Sequence, residues 1–180
     1  MQSTKSKLHK IAVGGGCHWC TEAVYQSLKG VSKVEQGFIS SSGSNTSFSE
    51  AVIVHFDKEV IGLAAIIEIH LHTHSSTSEH GMRSKYRSAV YTFSKDQALD
   101  VEKIINELQE GFEHKIITEV LPLVDFKSSE KQFANYYFNN PQKPFCQNYI
   151  EPKIQLLLQR FSNRIDANKI RRQDAVALNP

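Results

Sequence analysis

Apolar and polar positions change period several times along the chain, and each change marks an element. A short apolar run at Lys10–Val13 reads as a strand and is stopped by Gly14, Gly15 and Gly16. Helical spacing follows from about Cys17 to Leu28, closed by Gly30. Val31–Ile39 and Glu50–Phe56 read as strands, the second placing Val52, Val54 and Phe56 on one face. Between them, Ser40–Ser49 is rich in Ser, Gly, Asn and Thr and reads as a loop. Helical spacing returns at Gly62–Leu71, then a polar loop covers His72–Lys85 and a strand is predicted at Arg87–Phe93. Ala98, Val101, Ile104, Ile105 and Leu108 recur at helical period within Asp96–Gly111, where a glycine gives the stop. A further strand is predicted at Ile116–Val124, with helical stretches near Ser129–Phe138 and Glu151–Ile165, and Asn168–Pro180 is expected to fray.

The first six elements run β-α-β-β-α-β, the split arrangement of ferredoxin-like sheets. The predicted fold is therefore α+β, a two-layer sandwich with a ferredoxin-like βαββαβ core and extra helical segments toward the C-terminus. At about 150 residues per domain, 180 residues make one domain. Its expected limits are 8–165, between a flexible stretch at 1–7 and a tail at 166–180.

Composition narrows the class of function. Hydrophobic residues are 40% and charged residues 22%, an ordinary globular balance outside the disordered range. A net charge of +2 argues against a dedicated nucleic-acid surface. The small cluster Lys169, Arg171 and Arg172 reads as a solvated helix end. No apolar run approaches the roughly 20 residues of a membrane span, and the run after the basic N-terminus is too short for a signal peptide. The expectation is a cytoplasmic protein, a monomer, with no membrane or nucleic-acid partner.

The chemistry concentrates in Gly14-Gly15-Gly16-Cys17-His18-Trp19-Cys20. Glycines let backbone approach a ligand closely, and a helix N-terminus favours a thiolate over a thiol. Cys17 is thus a candidate nucleophile, and Cys20, one turn on, can attack an oxidised Cys17. Three cysteines are an odd count that fits catalysis or metal binding better than a disulfide framework. Other readings stay open on these residues alone. The pair can be half of a zinc site, with His70, His72, His74 and His80 nearby in sequence, although these lack a ligand spacing. It can be a thioredoxin-type dithiol, and Cys146 can be a buried small hydrophobe. No flavin, nicotinamide, haem or phosphate-loop signature appears, so no cofactor is expected.

Gly15-Gly16-Cys17-His18-Trp19-Cys20-Thr21-Glu22-Ala23 resembles the active-site signature of peptide methionine sulfoxide reductase A. The similarity continues at Leu28–Val31, Ser49–Val52 and Tyr86–Tyr91, and then at Asn139-Asn140-Pro141, Pro144–Gln147 and Pro152-Lys153, covering roughly residues 8–165. The resemblance implies Cys17 as nucleophile toward the sulfoxide sulfur. It implies Glu50 as the acid on the sulfoxide oxygen and Tyr86 as a second donor to it. Trp19 becomes a wall of the methyl pocket, Cys20 the resolving thiol, and thioredoxin the reductant. Burial beside Trp19 and Phe38 would favour a neutral Glu50, and acid help of this kind is worth roughly 10²–10⁴ in rate. Cys146, on the tail segment, is a candidate second resolving thiol.

The chain departs from that family at four places. His18 replaces a Phe beside the nucleophile and makes one pocket wall titratable. As a cation, His18 would lower Cys17 further. Phe38 replaces a Tyr and lacks its hydroxyl, Gly81 stands at an Asp position before Tyr86, and Phe133 replaces a His. Two functional readings follow: an active reductase with altered tuning, or a non-catalytic or differently reactive thiol or metal-binding protein on the same fold.

Overall fold

The computed structural model describes residues 8–170. Six strands form one sheet: β1 (Leu8–Gly14), β2 (Val31–Ser40), β3 (Ser49–Asp57), β4 (Ala89–Thr92), β5 (Glu119–Pro122) and β6 (Asp125–Ser128). The helices are α1 (His18–Gln26), α2 (Leu63–Thr73), α3 (Lys95–Leu108), α4 (Tyr136–Asn139) and α5 (Glu151–Arg160). The strand order is β5-β4-β1-β3-β2-β6. Its four central members, β4-β1-β3-β2, pair antiparallel throughout, so the predicted βαββαβ unit forms the heart of the sheet. β5 adds in parallel beside β4, and β6 antiparallel beside β2. No helix of the described residues is long and apolar enough to cross a membrane.

Strand alternation sorts the side chains into two layers. Ile11, Val13, Val52, Val54 and Phe56 join α1, α2 and α5 in the main core. Ala12, Ile39, Ala51, Ile53, Ala89 and Tyr91 face the other way, under Leu121, Leu123 and Phe126. The small residues in β1, β3 and β4 let the β5–β6 passage lie close on that second face.

Six strands at ~4.8 Å spacing put β5 and β6 about 24 Å apart in a flat sheet. Three Cα steps, Pro122 to Asp125, span at most about 11 Å. The sheet is therefore curled until its two edges converge at this end. The bonds Leu123 N to Thr92 O (3.0 Å), Val124 N to Ser40 O (3.1 Å) and Ser41 Oγ to Pro122 O (2.6 Å) tie the junction to β4 and β2.

Three expectations need correction. β6 was absent from the sequence pattern because, of its four residues, only Phe126 is apolar. The strand predicted at 116–124 shortens to β5. The helix predicted near 129–138 is two separate turns, a 3₁₀ turn at Lys131–Phe133 and α4, broken where Asn135 takes φ 53°. Of the stretch 168–180 expected to fray, residues 171–180 lie outside the described residues. Residues 167–170 form a helical turn held by Lys169, whose Nζ donates to Leu28 O (2.6 Å) and Val31 O (2.7 Å).

Candidate active site

The glycine turn positions the first thiol. Gly15 sits at φ 152°, and a Cβ there would fall 2.4 Å from the His74 ring, so only glycine lets β1 pass that close. The His74 ring is itself fixed. Its Nδ1–H donates to His70 O (2.6 Å), which leaves Nε2 to accept from Ser88 Oγ (2.8 Å). Burial holds His74 neutral, down to about 3, and also keeps the stacked His70 far below its usual value. His70 and His74 are thus a neutral structural prop under the turn. Among the described residues no three His, Cys, Asp or Glu groups converge as a metal cage.

Cys17 caps α1, and its carbonyl accepts from the amides of Cys20 and Thr21, both at 3.1 Å. Its thiol is lowered from the ordinary range by a hydrogen bond from the Cys20 thiol. The Trp19 and Cys20 amides assist, while burial and Glu50 oppose. Cys20 is pushed strongly upward, first by donating to Cys17 and then by burial, with Lys153 opposing. The two thiols therefore act as one unit with Cys17 as the ionising member. Cys20 is 3% exposed and packs against the carbonyl of Tyr149. Cys146 is fully buried in the π-helical turn Cys146–Ile150, close enough for Cys17 and Cys20 to sense it. All three cysteines are free.

β3 brings Glu50 to the same turn, opposite Phe38 of β2. Its Oε2 accepts from the His18 amide at 3.0 Å, which locks the carboxylate onto the first residue of α1. The His18 Nδ1–H donates to Gly37 O (2.8 Å), leaving Nε2 facing Glu50 Oε2 at 3.9 Å. Burial lowers His18 below the usual histidine range, so its ring is neutral beside Glu50 and the cationic role considered for it does not fit. Phe38 meets the His18 ring edge-on at 5.1 Å.

Trp19 is held from the C-terminal side. Tyr136 stacks on it at 4.0 Å, Phe133 at 5.5 Å, and Phe145 meets it edge-on at 5.2 Å. Phe133, a departure from the family pattern, thus extends an aromatic box around the indole. The segment is anchored by Glu22, which is 2% exposed on α1. Glu22 Oε1 accepts from Gln36 Nε2 (3.1 Å) and the Tyr136 amide (3.3 Å), and the Asn135 amide also bonds this carboxylate. Burial raises Glu22 to about 7.

Tyr86, half-buried, approaches from the loop between α2 and β4. That loop is stitched by Arg83, a residue the sequence reading passed over. Its guanidinium donates to Gly15 O and Tyr86 O (both 3.0 Å), Ser75 O (2.5 Å) and Ser78 O (2.7 Å). The loop that carries Gly81 is thereby tied directly to the glycine turn. Lys85 was also passed over. Its Nζ lies 3.9 Å from Glu50 Oε1 and 5.1 Å above the Tyr86 ring, linking the two groups assigned to the sulfoxide oxygen. Neither had a sequence signal, since a polar loop has no period to violate. Glu22 had one, a carboxylate directly before the buried run Ala23-Val24-Tyr25.

The family model described as peptide methionine sulfoxide reductase matches residues 9–165. The peptide methionine sulfoxide reductase MsrA of Trichodesmium erythraeum is 35% identical over 176 residues, 89% of this chain and 99% of that protein. That of Pasteurella multocida is 35% identical over 154 residues, 78% and 88% of the respective chains. Reduced Mxr1 from Saccharomyces cerevisiae superposes with a TM-score of 0.70 at 23% identity, covering 81% of this chain and 92% of that one. Mxr1 has also been solved in complex with Trx2, with a TM-score of 0.59 at 22% identity, covering 76% and 89%.

Proposed function

The chain belongs to the peptide methionine sulfoxide reductase family, and on that premise we propose that it reduces methionine (S)-sulfoxide through Cys17 and is recycled by thioredoxin. The observation that carries this reading is the lowered Cys17 thiol at the start of α1, on the same turn that fixes the Glu50 carboxylate at 3.0 Å. The Cys17 thiolate attacks the sulfoxide sulfur while Glu50 supplies the proton and Tyr86 a hydrogen bond to the departing oxygen. Trp19, with Phe38 and the neutral His18 ring, surrounds the methyl group. The oxygen departs as water, water then attacks the Cys17 sulfur, the bond between Cys17 and the methionine sulfur breaks, and methionine leaves with Cys17 as a sulfenic acid.

Cys20 then attacks the Cys17 sulfur, water departs, and a Cys17–Cys20 disulfide results. Cys20 is the first resolving thiol because it already donates to Cys17. Cys146 follows only when the turn Cys146–Ile150 opens, since it is fully buried there. The reading is of a monomer acting on protein-bound or free methionine sulfoxide in the cytoplasm, a compartment where free thiols persist.

The test is reduction of each dabsylated methionine sulfoxide epimer with dithiothreitol, by the wild type and Cys17→Ser. Turnover of the S epimer alone, lost in the variant, is the expected result. No turnover of either epimer by fully reduced protein would overturn the reading.

A further inference from the structure

The two thiols open onto a cavity of about 600 Å³, well within the size range of small-molecule sites. It is lined by Cys17 and Cys20, by Gly15, Gly16 and Thr73 at its floor, by Tyr149 and Lys153 on the α5 side, and by histidines 72, 74 and 80. Glu50, His18, Trp19 and Phe38 are not among its lining residues. Cys17 and Tyr86 are the groups it shares with those assigned to the sulfoxide.

The lining contains no carboxylate. Its one lysine or arginine is Lys153, in the first turn of α5, whose Nζ donates to the Thr73 carbonyl and so is aimed at the cavity floor. Burial lowers this ammonium, while Cys20 first and Cys17 second pull it back up. The cation is therefore nearer in effect to the resolving thiol than to the nucleophile. His74 is neutral, and His72 is lowered by burial and by Arg160. Lining the cavity with Lys153 are the two thiols, the neutral His74, and His72, His80 and Tyr86.

We propose that this cavity binds a low-molecular-weight monothiol carrying a carboxylate, with the carboxylate at Lys153 and the thiol beside the Cys17–Cys20 disulfide. The proposal rests on the reductase reading for the origin of that disulfide. The bound thiol gives up its proton and attacks the Cys17 sulfur, the Cys17–Cys20 bond breaks, and Cys20 leaves by taking up that proton, as its strongly raised thiol requires. A second molecule of thiol attacks the outer sulfur of the mixed disulfide. It releases the ligand's symmetrical disulfide and the Cys17 thiolate. Two thiols are oxidised, the protein gains two electrons, and their two protons end on the protein thiols or in solvent.

The experiment measures the rate at which the oxidised protein is reduced by 3-mercaptopropionate, 2-mercaptoethanol and cysteamine. Each rate is divided by that thiol's rate toward a small disulfide. The disulfide is made twice, once with methionine sulfoxide and once with diamide. The expected result is a preference of roughly 5- to 10-fold for 3-mercaptopropionate over 2-mercaptoethanol, with cysteamine slowest, falling toward unity in 0.5 M salt. Lys153→Met abolishes the preference and Lys153→Arg keeps it. A wild type with no preference, or a preference that salt leaves intact or that survives in Lys153→Met, overturns the site. The salt series needs no variant, so a misfolded Lys153→Met does not blunt the test. Failure of methionine sulfoxide to oxidise the thiols would sink the reductase reading, while the diamide-made disulfide still decides the cavity.

Discussion

Cys17 stands between two unlike walls. One is built on regular structure: Glu50 and Phe38 are paired across β3 and β2, and His18 and Trp19 follow on α1. The other is built on irregular chain, the Arg83–Tyr86 loop and the aromatic segment that covers Trp19. On the first wall, backbone ladders place the side chains, and two bonds from His18, its amide to Glu50 and its Nδ1–H to the Gly37 carbonyl, finish the geometry. On the second, polar side chains do the placing, and each one removed should loosen chemistry at a distance. The difference predicts which substitutions act through the reacting atoms and which through position.

The largest effect should come from the regular wall. Glu50→Gln keeps the hydrogen bond to His18 but cannot give up a proton, so kcat should fall roughly 10²- to 10⁴-fold. Thermal stability should stay near that of the wild type, because the strand pairing and the amide bond survive. A kcat within about threefold of the wild type would remove Glu50 from the acid role. Next comes Arg83→Met on the irregular wall. It strips the donors to Gly15, Tyr86, Ser75 and Ser78, and displacing the catalytic groups by about 1 Å is worth on the order of 10²-fold in rate. Arg83 does not touch the reacting atoms, so unchanged kcat and KM alongside a lowered melting temperature would show that the loop is merely structural.

The same division explains what the sequence could show. The ferredoxin-like core was legible because Val52, Val54 and Phe56 keep strict alternation and glycines punctuate β1 and α1. Cys17, Cys20, Trp19 and Glu50 were legible because they lie on those elements, at the spacings the resemblance supplies. Arg83 and Lys85 were not, since their partners are backbone carbonyls and a carboxylate brought near only by the folded loop. The break at Asn135 was hidden for a related reason. The helical spacing is present in the sequence, but the Asn135 and Tyr136 amides turn toward buried Glu22 on a distant helix, which no local pattern encodes. His18 is the instructive middle case. Its position was legible, but its charge was not, because neutrality comes from burial, which outweighs the opposing pull of the Gly37 carbonyl.

Glu22 sharpens the comparison with a pH dependence of definite sign. Its folded-state value is raised to about 7 from 4.5, so the native state binds the proton more tightly than the unfolded chain. Its contribution is fully present below about 4.5 and is lost as the pH rises through 7, at most about 3 kcal/mol. His70, His74 and His18, all held low by burial, act in the opposite sense. They favour the fold above 6.5 and lose that contribution as the pH falls. The separable quantity is therefore the difference between Glu22→Gln and the wild type. The variant should gain relative stability between pH 5 and 8, and the fluorescence of Trp19, the only tryptophan, should lose a transition near pH 7. A difference that is flat with pH would show that Glu22 does not carry the ionisation that holds Tyr136 on Trp19.

The smallest effect is expected where the two walls meet, at Lys85. Its ammonium approaches Glu50 at 3.9 Å, but its side chain is 55% exposed, and an exposed ion pair contributes little. Lys85→Met should therefore lower kcat/KM by no more than about fivefold. The decrease should shrink with added salt, because solvent ions already screen an ammonium in that position. A fall of more than about 30-fold that is insensitive to salt would mean that Lys85 touches the sulfoxide oxygen itself. The irregular wall would then supply a reacting group rather than only hold one in place.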